Sequence, residues 1–450
     1  MSSLEPAFPV RWQTMTADGC SLHVMVREQA INLLLDNDSP SFTFDPAGRL
    51  HGAFIDGRNY RRSLDNRMLS KWSERDAAGS TRRRRWLTGE EARSVVDLAY
   101  GVASQAAEQA GQTPLAVQQA LDAVTRWDWK RLEADRQRFA SIYTSVGILP
   151  PDQYLALVLQ ATHGCSHNAC TFCTFYSDIP FRIKSPDEFR SHVAGVLAFF
   201  GPALAMRRSI FLADANALVV PMKRLLTLLD VLREGEFREI TETRETGTSG
   251  PITEPSPPVA DALPDPTFPH LPSSASLPSD SWPLPLFAFI DAFHVERKSV
   301  ADWQELRERG LQRVTIGMES GHDPLLRWLN KPGSAADVLD AVRTLKAAGM
   351  AVSVIVMAGV GGMAYAGHHV HDTVALLNAM PLAGGDLIYV SEFKEQPGSQ
   401  YARDAVQFGV GALTPADIRD QVAAIRSGLV VYDSSQPPQV SRYDIDEFLY

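Results

Sequence analysis

Short apolar runs alternate with helical stretches from about Pro151 to Val390. Runs of this kind, bounded by turn residues, are typical of buried parallel strands. Helices between such strands form right-handed crossovers. The pattern therefore predicts an α/β domain with six β/α units, which are too few for a complete eight-stranded barrel. The centres of the six predicted strands are Leu155, Ile210, Phe287, Thr315, Val354 and Ile388.

The first part of the chain follows a different pattern. Between Ser39 and Leu69, β-rich pieces are broken by turn signals at Asp45–Gly48 and at Asp56-Gly57, which predicts a small antiparallel sheet. Helical stretches follow from Thr88 to Ala110 and from about Pro114 to Phe139. This region is therefore expected to be α+β.

The change of pattern divides the chain into three predicted regions. Residues 1–145 form an N-terminal extension, residues 150–400 form the core, and residues 401–450 form a C-terminal helical extension. A proline-rich segment interrupts the core, because eleven prolines lie between Pro251 and Pro285 among mostly polar residues. Such a composition cannot bury enough apolar surface to fold alone, so residues 241–285 are predicted to be a disordered insertion.

Composition and charge limit the possible functions. The 450-residue chain has 45% hydrophobic residues, a net charge of −10 and a pI of about 5.6, which argues against a general affinity for nucleic acid. The four arginines from Arg82 to Arg85 are interpreted as a solvated face rather than as a phosphate or RNA site. Neither a signal peptide nor a run of ~18 apolar residues is evident, so a cytoplasmic location without membrane contact is expected.

Three of the four cysteines lie in one short segment that directly follows the first predicted strand of the core. Cys165, Cys170 and Cys173 have the spacing C-x4-C-x2-C, so three thiolates can converge on one metal centre. Thiolates select zinc, copper(I) or iron–sulfur clusters. His167 could complete a structural zinc site, whereas a [4Fe–4S] cluster would keep one iron open. Three unrelated buried thiols and a disulfide are further alternatives, and Cys20 is interpreted as an incidental thiol.

With this loop after the first of six strands, the chain resembles the radical S-adenosylmethionine (radical SAM) superfamily, whose core is a partial (βα)6 TIM-like barrel. The resemblance covers about Leu155 to Glu395. The family's commonest loop has three residues between its first two cysteines, whereas this chain has four. Phe172, directly before Cys173, matches an aromatic residue that lies against the adenine of SAM in the family, and ordinary packing is the alternative.

Three further motifs follow in the order that the family shows. FLADANAL contains Asp214 at the end of strand two, where the family binds the methionine ammonium, and helix capping is the alternative. VTIGMESG contains Glu319 at the end of a strand whose polar residues face SAM in the family, and a structural salt bridge is the alternative. VIVMAGVGG contains Gly359 and Gly361, which the resemblance places on the adenine side, since glycine allows close backbone approach.

The resemblance implies an enzyme that binds a [4Fe–4S] cluster and SAM. It implies reductive cleavage of SAM to a 5′-deoxyadenosyl radical that abstracts hydrogen from an unidentified substrate, with electrons from a donor such as a flavodoxin or ferredoxin. Two other classes stay open, namely a zinc-stabilised binding module on the same loop and an RNA-modifying, methylthiotransferase-like enzyme. The latter needs further cysteines, and only Cys20 is available. A metal site at His368, His369 and His371 is a further hypothesis.

Overall fold

Two units make up the chain in the computed structural model. One comprises residues 1–145, 194–208 and 449–450, and the other comprises residues 146–193 and 209–448. The structure describes residues 8–36, 39–76, 79–111, 113–144, 146–234, 284–430 and 437–450. The proline-rich insertion predicted at 241–285 lies outside these ranges, except for its last two residues.

The first unit is built on an eight-stranded antiparallel sheet in which each strand pairs with the next along the chain. The predicted hairpin at Asp56-Gly57 is present, since Ile55 pairs with Arg58. Both turn residues have a positive φ, 48° and 75°, as a type I′ turn requires. The strands are β1 (Val10–Met15), β2 (Ser21–Val26), β3 (Ile31–Leu35), β4 (Ser41–Phe44), β5 (Leu50–Ile55), β6 (Arg58–Arg62), β7 (Met68–Asp76) and β8 (Gly79–Trp86).

This sheet is larger than the small one predicted from the sequence. Strands such as β6 (RNYRR) and β8 (GSTRRRRW) lack an alternation of apolar and polar residues, so their sequences do not predict strands. They form through backbone pairing with the neighbouring strands. One face of the sheet shares a core with helices α1 (Gly89–Glu108) and α2 (Leu115–Thr125), in which Phe42, Met68 and Val96 are buried. A third helix, α3, spans Trp129–Ile142.

The second unit contains a seven-stranded parallel sheet, which makes the protein a mixed α/β protein, as predicted. Its strands, in their order across the sheet, are β9 (Ala156–Gln160), β12 (Ser209–Ala213), β13 (Leu286–Ile290), β14 (Leu311–Glu319), β15 (Ala351–Ala358), β16 (Leu387–Glu392) and β17 (Gln439–Tyr443). Two short strands, β10 (Thr162–His163) and β11 (Arg182–Ile183), form a separate antiparallel pair. The sequence QVSRY of β17 has no apolar run, and this strand was not predicted.

Helices follow most strands of the parallel sheet, as crossovers require. The helix after β15 begins at Gly362, so His368, His369 and His371, the residues of the hypothetical metal site, lie inside a helix. Its glycine-rich first turn has positive φ at Gly361 and Gly362 and resembles a loop in sequence. The helices are α4 (Pro186–Phe200), α5 (Met222–Val231), α6 (Val300–Glu308), α7 (Asp323–Trp328), α8 (Ala335–Ala347), α9 (Gly362–Ala379), α10 (Gln400–Phe408) and α11 (Pro415–Gly428).

A buried polar network lies at the amino end of the parallel sheet. Asp152, four residues before β9, accepts hydrogen bonds from Arg313 of β14 at 2.8 Å and from the Tyr389 hydroxyl of β16 at 2.6 Å. Arg313 also donates to the carbonyl of Gly385 at 2.9 Å. The carboxylate and the guanidinium are 3% and 9% exposed, so this is a buried ion pair whose charges have partners on both sides.

One apolar helix bears on the expectation that the chain has no membrane contact. Among the described residues, the segment Pro186–Met206 has the length and hydropathy needed to cross a membrane, and 56% of its apolar window is buried inside the protein. A core helix of a folded domain has the same properties, so this segment is weak evidence for a membrane span.

Candidate metal and cofactor site

The cysteine loop lies at the carboxyl end of the parallel sheet. It begins after β9 and is enclosed between the short strands β10 and β11, whose pairing joins its two ends. Cys165, Cys170 and Cys173 are all half-buried, and none of them forms a disulfide. Loops at the carboxyl ends of parallel strands are the usual place for a binding site in α/β proteins.

Hydrogen bonds to backbone carbonyls fix the middle of the loop to two other parts of the same sheet edge. The Thr171 N–H donates to the carbonyl of Leu329 at 2.9 Å, and the Asn330 side chain donates to the carbonyl of Ala169 at 2.8 Å. The Tyr401 N–H, at the start of α10, donates to the Thr171 carbonyl at 2.9 Å. The loop is therefore held between the end of α7 and the beginning of α10.

His167 is the residue that could turn the three-cysteine loop into a closed zinc site. Its Nε2 atom lies 2.8 Å from the carbonyl oxygen of Asn330. A carbonyl accepts hydrogen bonds only, so this nitrogen is the donor and cannot at the same time bind a metal. In this conformation the loop offers three sulfur ligands, and of the two ring nitrogens of His167 only Nδ1 keeps a lone pair for a metal.

Burial disfavours the thiolate forms of two cysteines. It raises the pKa of Cys170 to about 12 and the pKa of Cys173 to about 11, while the nearby Lys331 ammonium acts in the opposite direction on both. Among the residues that the structure describes, no three histidine, cysteine or acidic side chains are close enough together to hold one metal ion. The three thiols fit a sulfur-ligated cluster by donor type, and binding would have to deprotonate them and draw their sulfur atoms together.

Asp214 joins the base of the loop to β12. Its carboxylate accepts hydrogen bonds from the Gln160 side chain at 2.9 Å and from the Gly164 N–H at 3.1 Å. Its own N–H donates to the hydroxyl of Thr162 at 3.0 Å. Burial raises the pKa of Asp214 to about 6 despite these hydrogen bonds. The carboxylate therefore contacts the residue before Cys165, and its predicted contact with SAM stays a prediction.

Asn216 and Asp291 connect the loop to β13. The Asn216 side-chain amide donates to the hydroxyl of Ser166 at 2.9 Å and to the Asp291 carboxylate at 2.6 Å. The Asp291 N–H donates back to the Asn216 side-chain oxygen at 3.0 Å. His294, which is also buried, lies 3.4 Å from the same amide. A polar cluster thus runs from the cysteine loop to the end of β13.

Glu319 shares a buried ammonium with Asp291. The Nζ atom of Lys331 lies 3.2 Å from Asp291 and 3.5 Å from Glu319. Burial raises the pKa of Glu319, and Lys331 partly offsets this effect. For Lys331, burial lowers the pKa, but the two carboxylates outweigh it and raise the pKa overall. One cation therefore balances two carboxylates beside Cys170.

The backbone at Glu319 has an unusual geometry. Its φ is 60°, and the pairing of β14 with β15 shifts register between Gly317 and Glu319. A Cβ atom at Gly317 would lie 2.5 Å from Oε1 of Glu319. A Cβ atom at this position would therefore make the Glu319 carboxylate shift from its place beside Lys331, and a glutamate with a left-handed backbone is uncommon.

Phe172 and the glycine turn after β15 meet in one apolar cluster. Phe172 packs against residues that include Leu325 and Val360. The Gly361 N–H donates to the Tyr401 hydroxyl at 3.0 Å, and a Cβ atom at Gly361 would lie 2.6 Å from Leu325. The Gly359 N–H donates to the side-chain oxygen of Gln421 at 2.5 Å. The residues predicted to line the adenine therefore lie near one another, and their contact with SAM stays a prediction.

Of the three histidines in the hypothetical metal site, His369 and His371 have polar partners, and His368 stacks on the ring of His322. His369 is fully buried, with Nδ1 2.8 Å from the hydroxyl of Ser320. His371 and His322 contact the two carboxylate oxygens of Asp372 at 2.8 and 2.7 Å. Asp291, Lys331 and Tyr401 were not singled out in the sequence, although Asp291 follows the predicted strand centred on Phe287. Their roles come from contacts between residues 40 or more positions apart.

Comparisons with known proteins give low similarities. No protein-family model matches the chain, and no curated protein matches it. Similar solved structures include the cobalamin-dependent radical SAM enzyme OxsB (14% identity, 59% of this chain and 30% of that chain, TM-score 0.34). They also include the radical SAM methyltransferase TsrM from Kitasatospora setae, with cobalamin and a [4Fe–4S] cluster bound (15%, 56% and 39%, 0.33). A third is coproporphyrinogen III oxidase HemN from Escherichia coli (12%, 62% and 54%, 0.37).

These solved structures are of radical SAM enzymes, the family that the sequence resembles. The chain spans between 30% and 39% of the length of OxsB and TsrM. Because the identities and TM-scores are low, the assignment of chemistry depends on the residues of the loop and of the strand ends.

Proposed function

We propose that the chain is a radical SAM enzyme in which Cys165, Cys170 and Cys173 hold a [4Fe–4S] cluster. The observation that carries the proposal is the loop itself, with three free thiols at the carboxyl end of a parallel sheet. The loop itself supplies three sulfur ligands, so a four-iron cluster bound there would keep one iron for an exogenous ligand. When bound, such a cluster supplies the electron that cleaves SAM into methionine and a 5′-deoxyadenosyl radical.

The ion cluster beside the loop suits the methionyl part of SAM. Asp291 and Glu319 carry two negative charges against the single positive charge of Lys331. SAM presents an ammonium and a sulfonium, so the excess carboxylate would bind one of these cations, and Lys331 would attract the carboxylate of SAM. Glu319 therefore keeps its proposed role in SAM binding, and Asp291 and Lys331 join it.

The apolar cluster on the other side suits the adenine. Phe172 would lie against the ring, while the turn at Gly359 and Gly361 would bring backbone close to its edge. Asp214 would act indirectly, since it fixes the base of the cysteine loop through Gly164. These residues orient the cofactor and exclude water, so the substrate would bind over the same sheet edge.

The finer description of the fold, a partial (βα)6 barrel, is also part of the proposal. In a flat sheet, β16 would lie five strand spacings, roughly 24 Å, from β9. Tyr389 of β16 is nevertheless hydrogen-bonded to Asp152, which lies only four residues before β9. This contact supports a sheet that curves toward closure. A cytoplasmic location and an electron donor such as a flavodoxin or ferredoxin complete the proposal.

Anaerobic purification and reconstitution test the proposal against the zinc-stabilised module. We expect about four iron and four sulfide per chain, a brown colour, and formation of 5′-deoxyadenosine when dithionite and SAM are added. Stoichiometric zinc in a colourless protein that forms no 5′-deoxyadenosine would contradict the proposal. The same preparation of the Cys173→Ala variant is the control for iron bound non-specifically.

A further inference from the structure

The cysteine loop has one side toward the ion cluster and one side toward solvent. Cys170 lies near the largely buried Lys331, whereas Asn168, Ala169 and Thr174 are exposed. The proposed function, on which this inference rests, requires an electron to reach the cluster while SAM occupies the inner side. The exposed side of the loop is therefore the side from which an electron donor can approach.

Two helices border the exposed side of the loop. The Thr171 N–H donates to the carbonyl of Leu329, directly after α7, at 2.9 Å. The Thr171 carbonyl accepts from the Tyr401 N–H, near the start of α10, also at 2.9 Å. The rings of Trp328 and Tyr401 are in contact, with centroids 4.9 Å apart. The end of α7, the middle of the loop and the start of α10 are therefore direct neighbours.

Each of these helices carries an exposed arginine two residues from its contact with the loop, Arg327 on α7 and Arg403 on α10. Arg403 donates to the side-chain oxygen of Gln400 at 2.8 Å. Among the residues that the structure describes, no carboxylate forms an ion pair with either arginine. The nearby carboxylates have other partners, since Asp323 accepts the first N–H of α8 at 2.8 Å and Asp404 accepts from Gln400 at 2.6 Å.

Exposed apolar side chains extend along α10 from these arginines. Val406 is 85% exposed, Met363 69% and Phe408 63%, the highest values for large apolar side chains among the described residues of the second unit. Met363 lies beside the end of α10, because its N–H donates at 2.8 Å to the carbonyl of Gly411, which follows this helix. Phe408 is seven residues after Tyr401, roughly 10 Å along the helix axis. One partner could therefore cover these side chains and the loop together.

We propose that an acidic electron-donor protein docks on this surface, which we call the α10 surface and which consists of Arg327, Met363, Arg403, Val406 and Phe408. Exposed apolar patches mark interaction sites, and arginine, methionine and aromatic residues are enriched in protein interfaces. The two arginines would attract a negatively charged partner and fix its orientation. Complexes for electron transfer have small interfaces, so a surface of this size is sufficient.

The place of the α10 surface favours an electron donor over a second copy of the chain. Electron transfer between proteins weakens steeply with distance, and the elements of this surface are hydrogen-bonded to the residue between Cys170 and Cys173. In a symmetric dimer the same patch meets itself, so Arg327 and Arg403 would face like charges. In the proposed complex one electron leaves the donor, which is oxidised, and enters the cluster, which is reduced, and no atom is transferred.

Formation of 5′-deoxyadenosine with two reductants tests the proposal, because dithionite needs no docking surface. For a reduced flavodoxin of negative net charge, we expect kcat/KM of the Arg327→Glu/Arg403→Glu variant to fall about 10- to 100-fold. Its rate with dithionite should stay within about twofold, with unchanged iron content. Biolayer interferometry of the cluster-loaded proteins on immobilised flavodoxin should show the same loss of affinity without turnover.

The matched control is Lys223→Glu/Arg343→Glu, which makes the same change of charge at exposed positions of α5 and α8. It should keep the flavodoxin-driven rate and the affinity within about twofold. Equal losses in both double variants, or an unchanged flavodoxin-driven rate in the first, would overturn the proposal. If the first variant is unstable, Val406→Ser/Phe408→Ser tests the same surface through its apolar side chains, with the same loss expected.

The two reductants also separate this proposal from the proposed function. If the unaltered protein forms no 5′-deoxyadenosine even with dithionite, the proposed function is wrong and the docking proposal falls with it. If it reacts with dithionite but with neither reduced flavodoxin nor reduced ferredoxin, only the docking proposal is overturned.

Discussion

Buried charges lie at both ends of the parallel sheet, but they are balanced differently. At the amino end, Asp152 and Arg313 form a one-to-one ion pair at 2.8 Å, and Tyr389 and the Gly385 carbonyl take up further hydrogen-bonding positions. At the carboxyl end, Lys331 lies between two carboxylates at the longer distances of 3.2 and 3.5 Å. The first network balances its charges one to one, whereas the second has two carboxylates for one ammonium.

This difference separates residues that hold the fold from residues available to a ligand. A one-to-one ion pair balances its own charges, so the loss of one partner leaves the other as a buried charge without a counterpart. An excess carboxylate beside three thiols is costly in the ligand-free protein and is offset when a cation binds. The left-handed backbone at Glu319 adds to that cost. We therefore expect substitutions at the amino end to change stability and substitutions at the carboxyl end to change binding.

The largest effect should come from the loop. We expect Cys170→Ala to lower iron after anaerobic reconstitution from about four per chain to background, and to abolish formation of 5′-deoxyadenosine, because the cluster loses one of three ligands. Iron analysis and product chromatography measure this. Cys20→Ala is the control and should retain both. A Cys170→Ala variant that keeps its full iron content would show that the loop is not the metal site.

At the amino end, Asp152→Ala should lower the free energy of unfolding by about 3–5 kcal/mol, because Arg313 is left as a buried charge without its carboxylate. Urea denaturation followed by circular dichroism measures this change. The iron content of the folded fraction should stay the same. If Asp152→Ala leaves the free energy of unfolding unchanged but loses iron, the amino end of the sheet contributes to binding, and the distinction drawn here between the two ends is wrong.

The buried His369 near Glu319 should make stability depend on pH. Burial lowers its pKa to about 4 from 6.5, so between these values the unfolded chain binds the proton and the folded chain does not. The contribution of His369 to the free energy of unfolding is therefore fully present above pH 6.5. It falls by about 3 kcal/mol as the pH decreases over the 2.5 units toward pH 4. Compared with His369→Gln, the unaltered protein should therefore lose about 3 kcal/mol more between pH 7 and pH 4 in urea titrations. If both proteins lose the same stability between pH 7 and pH 4, His369 is not the source of the pH dependence.

A smaller effect is expected for Glu319→Gln, which removes one of the two carboxylates that share Lys331. SAM should bind about 10- to 100-fold more weakly, about 1.4–2.8 kcal/mol, with no change in iron content. Isothermal titration calorimetry under anaerobic conditions measures the affinity. Glu395→Gln, an exposed carboxylate after β16, is the matched control and should bind SAM normally. Loss of the cluster in Glu319→Gln would contradict a role in SAM binding alone.

The sequence predicts the parts of this molecule that are local in the chain. The cysteine spacing, the turn at Asp56-Gly57 and the six apolar strands each depend on a few neighbouring residues. Polar strands such as β8 and β17 form through backbone pairing with a neighbouring strand, and the pattern of their side chains does not predict this pairing.

The site is predictable to a similar degree. Glu319 can be predicted as a site residue because it ends an apolar strand, but its partners Asp291 and Lys331 cannot. Asp291 and Lys331 are 40 residues apart, and only the folded sheet brings them together. Likewise, the hydrogen bond between His167 and Asn330 joins positions 163 residues apart, so which ring nitrogen is left to bind a metal depends on the three-dimensional structure.

The most direct test of the open metal position is electron paramagnetic resonance of the reduced, reconstituted protein before and after the addition of SAM. If three cysteines hold a [4Fe–4S] cluster and the fourth iron binds SAM, the reduced protein should give a cluster signal whose g-values shift when SAM is added. A signal that SAM leaves unchanged would mean that the fourth position is closed. The absence of any cluster signal would contradict the proposed function itself.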